Sequence, residues 1–105
     1  MDDLELVNTI EKIELIDVIG NPPVHGTIKV TGSVRRSGYT MPSLIIKSTT
    51  PDREGNLTFY FAAKPPDGGS PGQPIPIEAR RSLFDLLRVR TLTVVSATNE
   101  MVKNL

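Results

Sequence analysis

The stretch GGSPG at residues 68–72 has the G-x-S-x-G spacing of the nucleophile motif in serine hydrolases. That motif needs a strand before the serine and a helix after it, and the residue following the serine donates its backbone N–H to the oxyanion. Pro71 has no backbone N–H to donate. The single histidine, His25, precedes the serine, whereas that fold supplies its histidine later in the chain. We therefore predict no hydrolase activity and no catalytic residues.

Metal and cofactor chemistry has equally little support in the sequence. The chain has no cysteine and one histidine, so the ligand set of a zinc site cannot be completed, and we interpret His25 as a turn residue. Asp52, Glu54 and Asn56 alternate around Gly55, but the twelve-residue calcium loop and its final glutamate are missing. No phosphate-binding glycine motif is present. The sequence therefore predicts a protein that is not an enzyme, with no cofactor and no metal.

Two predicted loops contain side chains suited to binding another protein. Arg35, Arg36 and Tyr39 lie in the first loop, and Pro66 and Asp67 lie in the second. Rigid scaffolds commonly carry recognition residues on loops, and arginine and tyrosine are favoured anchors of interfaces. We therefore predict that these five residues form a protein-binding surface.

A nucleic-acid-binding barrel is a weaker alternative. Its candidate residues are basic side chains and two tyrosines that could stack on bases, namely Arg35, Arg36, Lys47, Arg53, Tyr39 and Tyr60. An oligonucleotide-binding barrel places its helix between the third and fourth strands, whereas the helix predicted below comes late in the chain. The net charge is zero. We therefore expect no nucleic-acid partner.

The totals indicate one strand-rich domain. The chain has 105 residues, of which 28 are β-branched and four are alanine, and this composition favours strands over helices. The length suits a single domain over residues 1–105. Six acidic residues and one lysine fall within residues 1–17, which leaves about +5 on the remainder. We expect this acidic segment to attract the basic body at short range or to keep the surface soluble.

The sequence also bears on location. Without cysteine there is no disulfide, and no apolar run approaches the roughly 20 residues that cross a bilayer. The first residues are acidic, whereas a secretion signal begins with basic residues. We expect a cytoplasmic protein with no membrane partner, and the sequence leaves its oligomeric state open.

The first part of the chain shows the patterns of several strands. We predict strands over residues 10–19 and 27–34 and an antiparallel hairpin over residues 43–63, with Phe59 and Phe61 in the core. Residues 1–9 stay open between helix, strand and disorder.

The second part begins with residues 65–76, which contain eight glycines or prolines and therefore predict a long loop. A strand that includes Pro74 and Pro76 would have to lie at a sheet edge, because proline lacks the N–H that a central strand needs. Apolar residues then recur at helical spacing, which predicts an amphipathic helix over residues 78–89 with arginines on its solvated face. A last strand over residues 92–98 and a polar tail follow.

These elements predict a mainly β fold, an antiparallel sandwich or partly closed barrel of about six strands with one short amphipathic helix near the C-terminus. The favoured function is a protein-interaction module. The alternatives are a small-ligand carrier with an apolar cavity between the helix and the sheet, and a protease inhibitor that uses the loop at residues 66–69.

Overall fold

The structure, a computed structural model, describes residues 3–105, and Met1 and Asp2 lie outside the described residues. These residues form eight strands in two sheets, neither of which closes into a barrel. The first sheet contains β1 (Glu5–Leu6), β4 (Thr40–Ile46), β5 (Asn56–Lys64), β7 (Thr91–Val95) and β8 (Glu100–Asn104). The second sheet contains β2 (Thr9–Ile19), β3 (His25–Val34) and β6 (Ile75–Leu83). The predicted mainly β fold is confirmed.

Strand β5 is the centre of the first sheet. Ala62 is paired with both Leu6 and Ser43, so β1 and β4 lie on opposite sides of β5. Strand β7 runs parallel to β5, beginning with Asn56 opposite Thr91, and β8 runs antiparallel to β7. In the second sheet, β3 lies between β2 and β6 and is antiparallel to both. The prediction of antiparallel pairing is therefore right for every strand pair except β5 and β7.

Both sheets contribute side chains to one hydrophobic core. Phe59 and Phe61 of β5 are fully buried, as predicted, and Ile28 and Val30 of β3 come from the other sheet. Their burial follows the two-residue period of a strand, because alternate residues point to the same face. Burying a side chain of this size contributes about 1.5–3 kcal/mol each. The core therefore joins the two sheets through side chains of both.

The predicted amphipathic helix over residues 78–89 is wrong. Residues up to Leu83 belong to β6, and the helical segment in the described residues is a three-residue 3₁₀ turn, Leu86–Arg88. Ala79 and Leu83 are four residues apart, a spacing that places two side chains on one side of a strand as well as of a helix. Arg81 lies between Ala79 and Leu83 on the same side of the strand. It interrupts the apolar alternation, so the sequence pattern does not indicate a strand.

Arg81 is accommodated because β6 lies at the edge of its sheet. Its guanidinium donates a hydrogen bond to the Leu44 carbonyl of β4, with 2.9 Å between nitrogen and oxygen, and so joins the edges of the two sheets. Strand β6 pairs with β3 alone, and Pro76 lies opposite Ser33. The prediction of a proline-containing edge strand is confirmed. The described residues include no helix that is long and apolar enough to cross a membrane.

Both ends of the described chain are more ordered than predicted. Residues 5 and 6 form β1, which resolves the choice left open for residues 1–9 in favour of a strand at these two positions. The predicted polar tail instead contains β8, whose alternate residues Met101 and Lys103 are half-buried. The sheets therefore contain more strands than the six expected.

The chain crosses from the first sheet to the second at Val7 and Asn8. Val7 is fully buried, and its N–H donates to the Phe61 carbonyl across 2.8 Å. Gly32 of β3 lies beneath this crossing, where a Cβ atom would overlap the carbonyl oxygen of Thr9 and approach the Phe61 ring to 3.0 Å. Only glycine leaves room for the backbone to pass.

We predict that Gly32→Ala lowers the free energy of unfolding by about 3 kcal/mol or prevents folding, because the added methyl group would displace a backbone carbonyl. Gly72→Ala is the matched control, since nothing lies within 4 Å of a Cβ there. It should change stability by less than about 0.5 kcal/mol. Urea unfolding measures both variants. Equal stabilities would contradict this account of the crossing.

Candidate interaction surface

Three segments that are distant in sequence meet beyond the C-terminal end of β5. They are Glu5 of β1, the turn at residues 35–39 and the loop at residues 65–74, and we call them together the loop end. Strand pairing brings them there, because Glu5 lies opposite Ala63 and Thr40 lies opposite Lys64. All five residues predicted to bind a partner belong to this surface.

Arg36 joins the three segments of the loop end. Its Nη1 donates a hydrogen bond to the Gly68 carbonyl at 3.3 Å, and its Nη2 donates to the Tyr39 hydroxyl at 3.2 Å. The same Nη2 lies 3.4 Å from Oε1 of Glu5, which makes an ion pair. The guanidinium carbon is 5.6 Å from the centre of the Tyr39 ring, within the range of a cation–π contact. One side chain thus contacts β1, its own turn and the long loop.

Tyr39 completes this network because a phenol can donate and accept at the same time. Its hydroxyl donates to the Glu5 carboxylate while accepting from Arg36. Partial burial, and next the hydrogen bond to Glu5, raise the pKa of the Tyr39 phenol above its ordinary value. The pKa of the Arg36 guanidinium is also raised, chiefly by its hydrogen bond to Tyr39. Both groups therefore keep the protonated forms that the network needs at neutral pH.

The glycine-rich loop is attached to the turn at a second point. The Gly72 N–H donates to the Arg35 carbonyl across 2.7 Å, and the Gly68 N–H donates to the Pro66 carbonyl across 3.1 Å. Gly68 and Gly69 have φ values of +93° and +91°, a conformation that favours glycine, and no atom outside their chain neighbours lies within 4 Å of where a Cβ atom would be. The loop is therefore held at two places and open to solvent between them.

The structure divides the predicted binding residues into two groups. Arg36 and Tyr39 are half-buried, and their polar atoms are occupied within the network. Arg35 and Asp67 are exposed, and within residues 3–105 their side chains make no hydrogen bond or ion pair. Pro66 is half-buried. A depression of about 400 Å³ lies beside Arg35. Arg35 and Asp67 are therefore the residues available to a partner, and Arg36 and Tyr39 position the loops.

Sequence reasoning missed Glu5 as a member of this surface. The signal was the acidic charge of residues 1–17 facing a basic remainder, and two ion pairs now connect these parts: Glu5 with Arg36, and Glu14 with Lys29 at 4.0 Å. The expected short-range attraction between acidic segment and basic body therefore has a physical form. The sequence could not show that Glu5 is the residue that contacts Arg36, because this contact depends on the pairing of β1 with β5.

The sequence has a second basic group in and just after the predicted helix, and the structure divides it among different places: Arg80, Arg81, Arg88 and Arg90. Arg80 hydrogen-bonds Glu78 at 3.0 Å, and this bond, followed by the charge of Lys29, lowers the pKa of the Glu78 carboxyl. Arg88 and Arg90 instead line a groove of about 550 Å³ at the opposite end of the molecule. The small-ligand hypothesis required a helix over the sheet, and residues 78–89 do not form that helix.

The serine and the histidine that were considered for hydrolase chemistry lie far apart. Ser70 lies in the exposed loop, whereas His25 begins β3 at the other end of the sheets. The His25 ring packs edge-on to Phe84, with 5.2 Å between ring centres, and its Nδ1 is buried without a hydrogen-bond partner in residues 3–105. Residues 3–105 contain no group of three histidine or acidic side chains able to hold a metal ion.

Comparisons with protein-family models, with curated proteins and with solved structures found no match for this chain. The function is therefore inferred from its own residues. The loop end is the part of the chain where predicted binding residues and an ordered network coincide.

We predict that Tyr39→Phe lowers the free energy of unfolding by about 1 kcal/mol at pH 8, because it removes a hydroxyl that serves two charged partners. The raised pKa of Tyr39 means that this stabilisation is present below the ordinary tyrosine pKa and is lost as the pH rises through the folded-state value. The difference in free energy of unfolding between wild type and Tyr39→Phe, measured by urea unfolding, should therefore become smaller between pH 8 and pH 11.

Tyr60→Phe is the matched control at pH 8, since no side-chain hydrogen bond in residues 3–105 involves the Tyr60 hydroxyl; it should leave stability nearly unchanged there. A difference between wild type and Tyr39→Phe that stays constant across this pH range would show that the hydroxyl does not act as described.

Proposed function

We propose that this chain is a non-enzymatic, intracellular protein-interaction module, a two-layer β-sandwich that presents the loop end to a protein partner. The observation that carries the proposal is the contact of one side chain, Arg36, with three segments distant in sequence. These contacts place the exposed residues Arg35 and Asp67 on a common surface.

Ordering of the loops before binding is what makes this surface suitable for recognition. A loop with two adjacent glycines would lose much conformational freedom when a partner immobilised it, and that loss would weaken binding. The bonds of Gly68 and Gly72 to the 35–36 turn account for part of that ordering in the free protein. Less conformational entropy is therefore lost on binding, and more of the free energy of the contacts contributes to affinity.

The exposed groups indicate the chemistry of the partner. Arg35 offers a guanidinium with no partner in the described residues, which suits a carboxylate in a paired, planar geometry. The neighbouring depression is lined partly by Leu6, Ala97 and the Tyr39 ring, so it suits an apolar side chain. We expect a partner surface that places an acidic residue opposite Arg35 next to an apolar one, with a basic residue opposite Asp67.

Affinity capture from a cell extract, with the purified chain immobilised, tests this function. Wild-type protein should retain a specific partner, and the charge reversals Arg35→Glu and Asp67→Lys should each reduce the amount retained at least about tenfold, equivalent to about 1.4 kcal/mol. Lys12→Glu is the matched control, because Lys12 is 67% exposed on the outer face of the second sheet. It should retain the partner as well as wild type does.

Arg36→Gln separates positioning from contact. It removes the bridge to Gly68 and Glu5 but leaves Arg35 and Asp67 in place, so amide hydrogen exchange at residues 66–72 should become faster while exchange in β3 and β5 stays slow. Binding to the captured partner should weaken in parallel. No specific partner, or a partner whose retention ignores both charge reversals, would refute the proposal.

A further inference from the structure

The end of the molecule opposite the loop end has a second surface that the proposed function does not use. It is the groove of about 550 Å³ between the turn at residues 49–55 and the connection at residues 84–90, which we call the arginine groove. The parallel pairing of β5 and β7 brings these two segments together, since Asn56 and Thr91 begin the two strands side by side. Backbone bonds from Arg90 and Thr91 to the Gly55 carbonyl, at 2.7 and 3.2 Å, fix their contact.

Within the described residues, three arginines in this groove have no acidic partner. Arg53, Arg88 and Arg90 all line it, and within residues 3–105 none of them forms an ion pair. Arg88 and Arg90 flank the buried Val89 and are themselves exposed. The stem of Arg90 passes over Gly55, where a Cβ atom would come within 2.9 Å of its Cγ. The guanidinium groups are thus held near the groove with their donors unused.

Two large apolar side chains are exposed on the same groove. Phe84 is 69% exposed and Leu87 is 63% exposed, and both line the groove beside the arginines. Exposed aromatic side chains next to arginines are the combination that interface cores favour over the rest of a protein surface. A partner that covered Phe84 and Leu87 would remove their apolar area from water, which is a favourable contribution to binding.

The acidic side chains in the groove do not neutralise it. Asp52 uses its Oδ1 to accept the N–H groups of Glu54 and Asn56, at 2.9 and 3.0 Å, and so closes its own turn. Asp85 precedes the 3₁₀ turn, and its side chain makes no capping bond. Three arginines against these two carboxylates leave the lining residues with a net charge of +1, and one oxygen of Asp52 is occupied by backbone amides.

We propose that the arginine groove binds a short acidic peptide segment that carries one large apolar side chain. Its carboxylates pair with Arg53, Arg88 and Arg90, and its apolar side chain packs on Phe84 and Leu87. Charge complementarity favours an anionic partner, and Phe84, the single aromatic ring in the groove, cannot stack successive bases, which favours a peptide over a nucleic acid. This surface is independent of the loop end, so either proposal can fail alone.

Fluorescence anisotropy with a labelled peptide tests the groove. The probe is a short fluorescein-labelled peptide in which glutamates flank a single central phenylalanine, and the comparison peptide carries glutamine in place of every glutamate. The acidic probe should bind at least about tenfold more tightly than the comparison peptide at low salt. Its affinity should fall as salt is added, because exposed charge pairs are screened.

Variants of the full chain assign the binding to this surface. The double substitution Arg88→Glu/Arg90→Glu should weaken the acidic probe at least about tenfold, and Phe84→Ala should weaken both peptides at every salt concentration. Lys12→Glu is again the matched control and should bind as wild type does. Urea unfolding of each variant shows whether it has folded, and Leu87→Ala replaces Phe84→Ala if the latter unfolds, since Phe84 contacts His25.

Three results would overturn this proposal. The first is equal binding of the acidic and glutamine peptides. The second is unchanged binding by the folded double variant. The third is displacement of the probe by oligothymidylate at equal concentration, which would identify the groove as a nucleic-acid site instead.

Discussion

The crossing at Val7 and Asn8 is the constraint on which the rest of the structure depends. Its backbone bonds reach two parts of the first sheet, because the Val7 N–H donates to the Phe61 carbonyl of β5 and the Val7 carbonyl accepts from the Ala97 N–H, just after β7, at 2.9 Å. Immediately afterwards the chain enters β2 of the second sheet. The buried crossing therefore ties both sheets to one segment, and the absence of a side chain at Gly32 makes it possible.

The same crossing determines where Glu5 lies. Strand β1 has two residues, and its pairing with Ala62 and Ala63 places the Glu5 carboxylate beside Arg36 and Tyr39. A buried backbone constraint and an exposed polar network are thus consecutive along the chain. The ordered contacts of the loop end therefore depend on the buried crossing, because the crossing fixes the position of Glu5.

The two candidate surfaces are separated by the length of the sheets. Strand β5 has nine residues and runs from the arginine groove to the loop end, a distance of about 26 Å at about 3.3 Å per residue. The longest dimension of the molecule is 45 Å. A small partner bound at one of the two surfaces therefore leaves the other surface accessible.

Local patterns were enough to predict much of the fold. The strand at residues 10–19 follows from its content of isoleucine and valine. The strand at residues 27–34 and the hairpin over residues 43–63 follow from alternation, and the edge position of β6 follows from the missing N–H groups of Pro74 and Pro76. The helix prediction failed because Arg81 occupies a core-facing position of β6, where its long side chain can leave at the sheet edge. No local pattern contains that information.

Features that depend on long-range pairing were beyond the sequence. The parallel contact of β5 with β7 forms the arginine groove from two segments that residues 56–83 separate in sequence, and periodicity within either segment says nothing about it. For the loop end, residue type identified Arg35, Arg36, Tyr39, Pro66 and Asp67. It could not separate the side chains that hold the loops from those left exposed, because that division depends on Glu5.

Amide hydrogen exchange of the wild-type chain, free and bound to its captured partner, tests the central claim most directly. We predict that binding slows exchange at residues 35–39 and 66–73 and leaves the outer face of the second sheet unchanged. The free protein should already protect the Gly72 amide, which donates to Arg35. Slowed exchange confined to other parts of the chain, with residues 35–39 and 66–73 unchanged, would contradict the account.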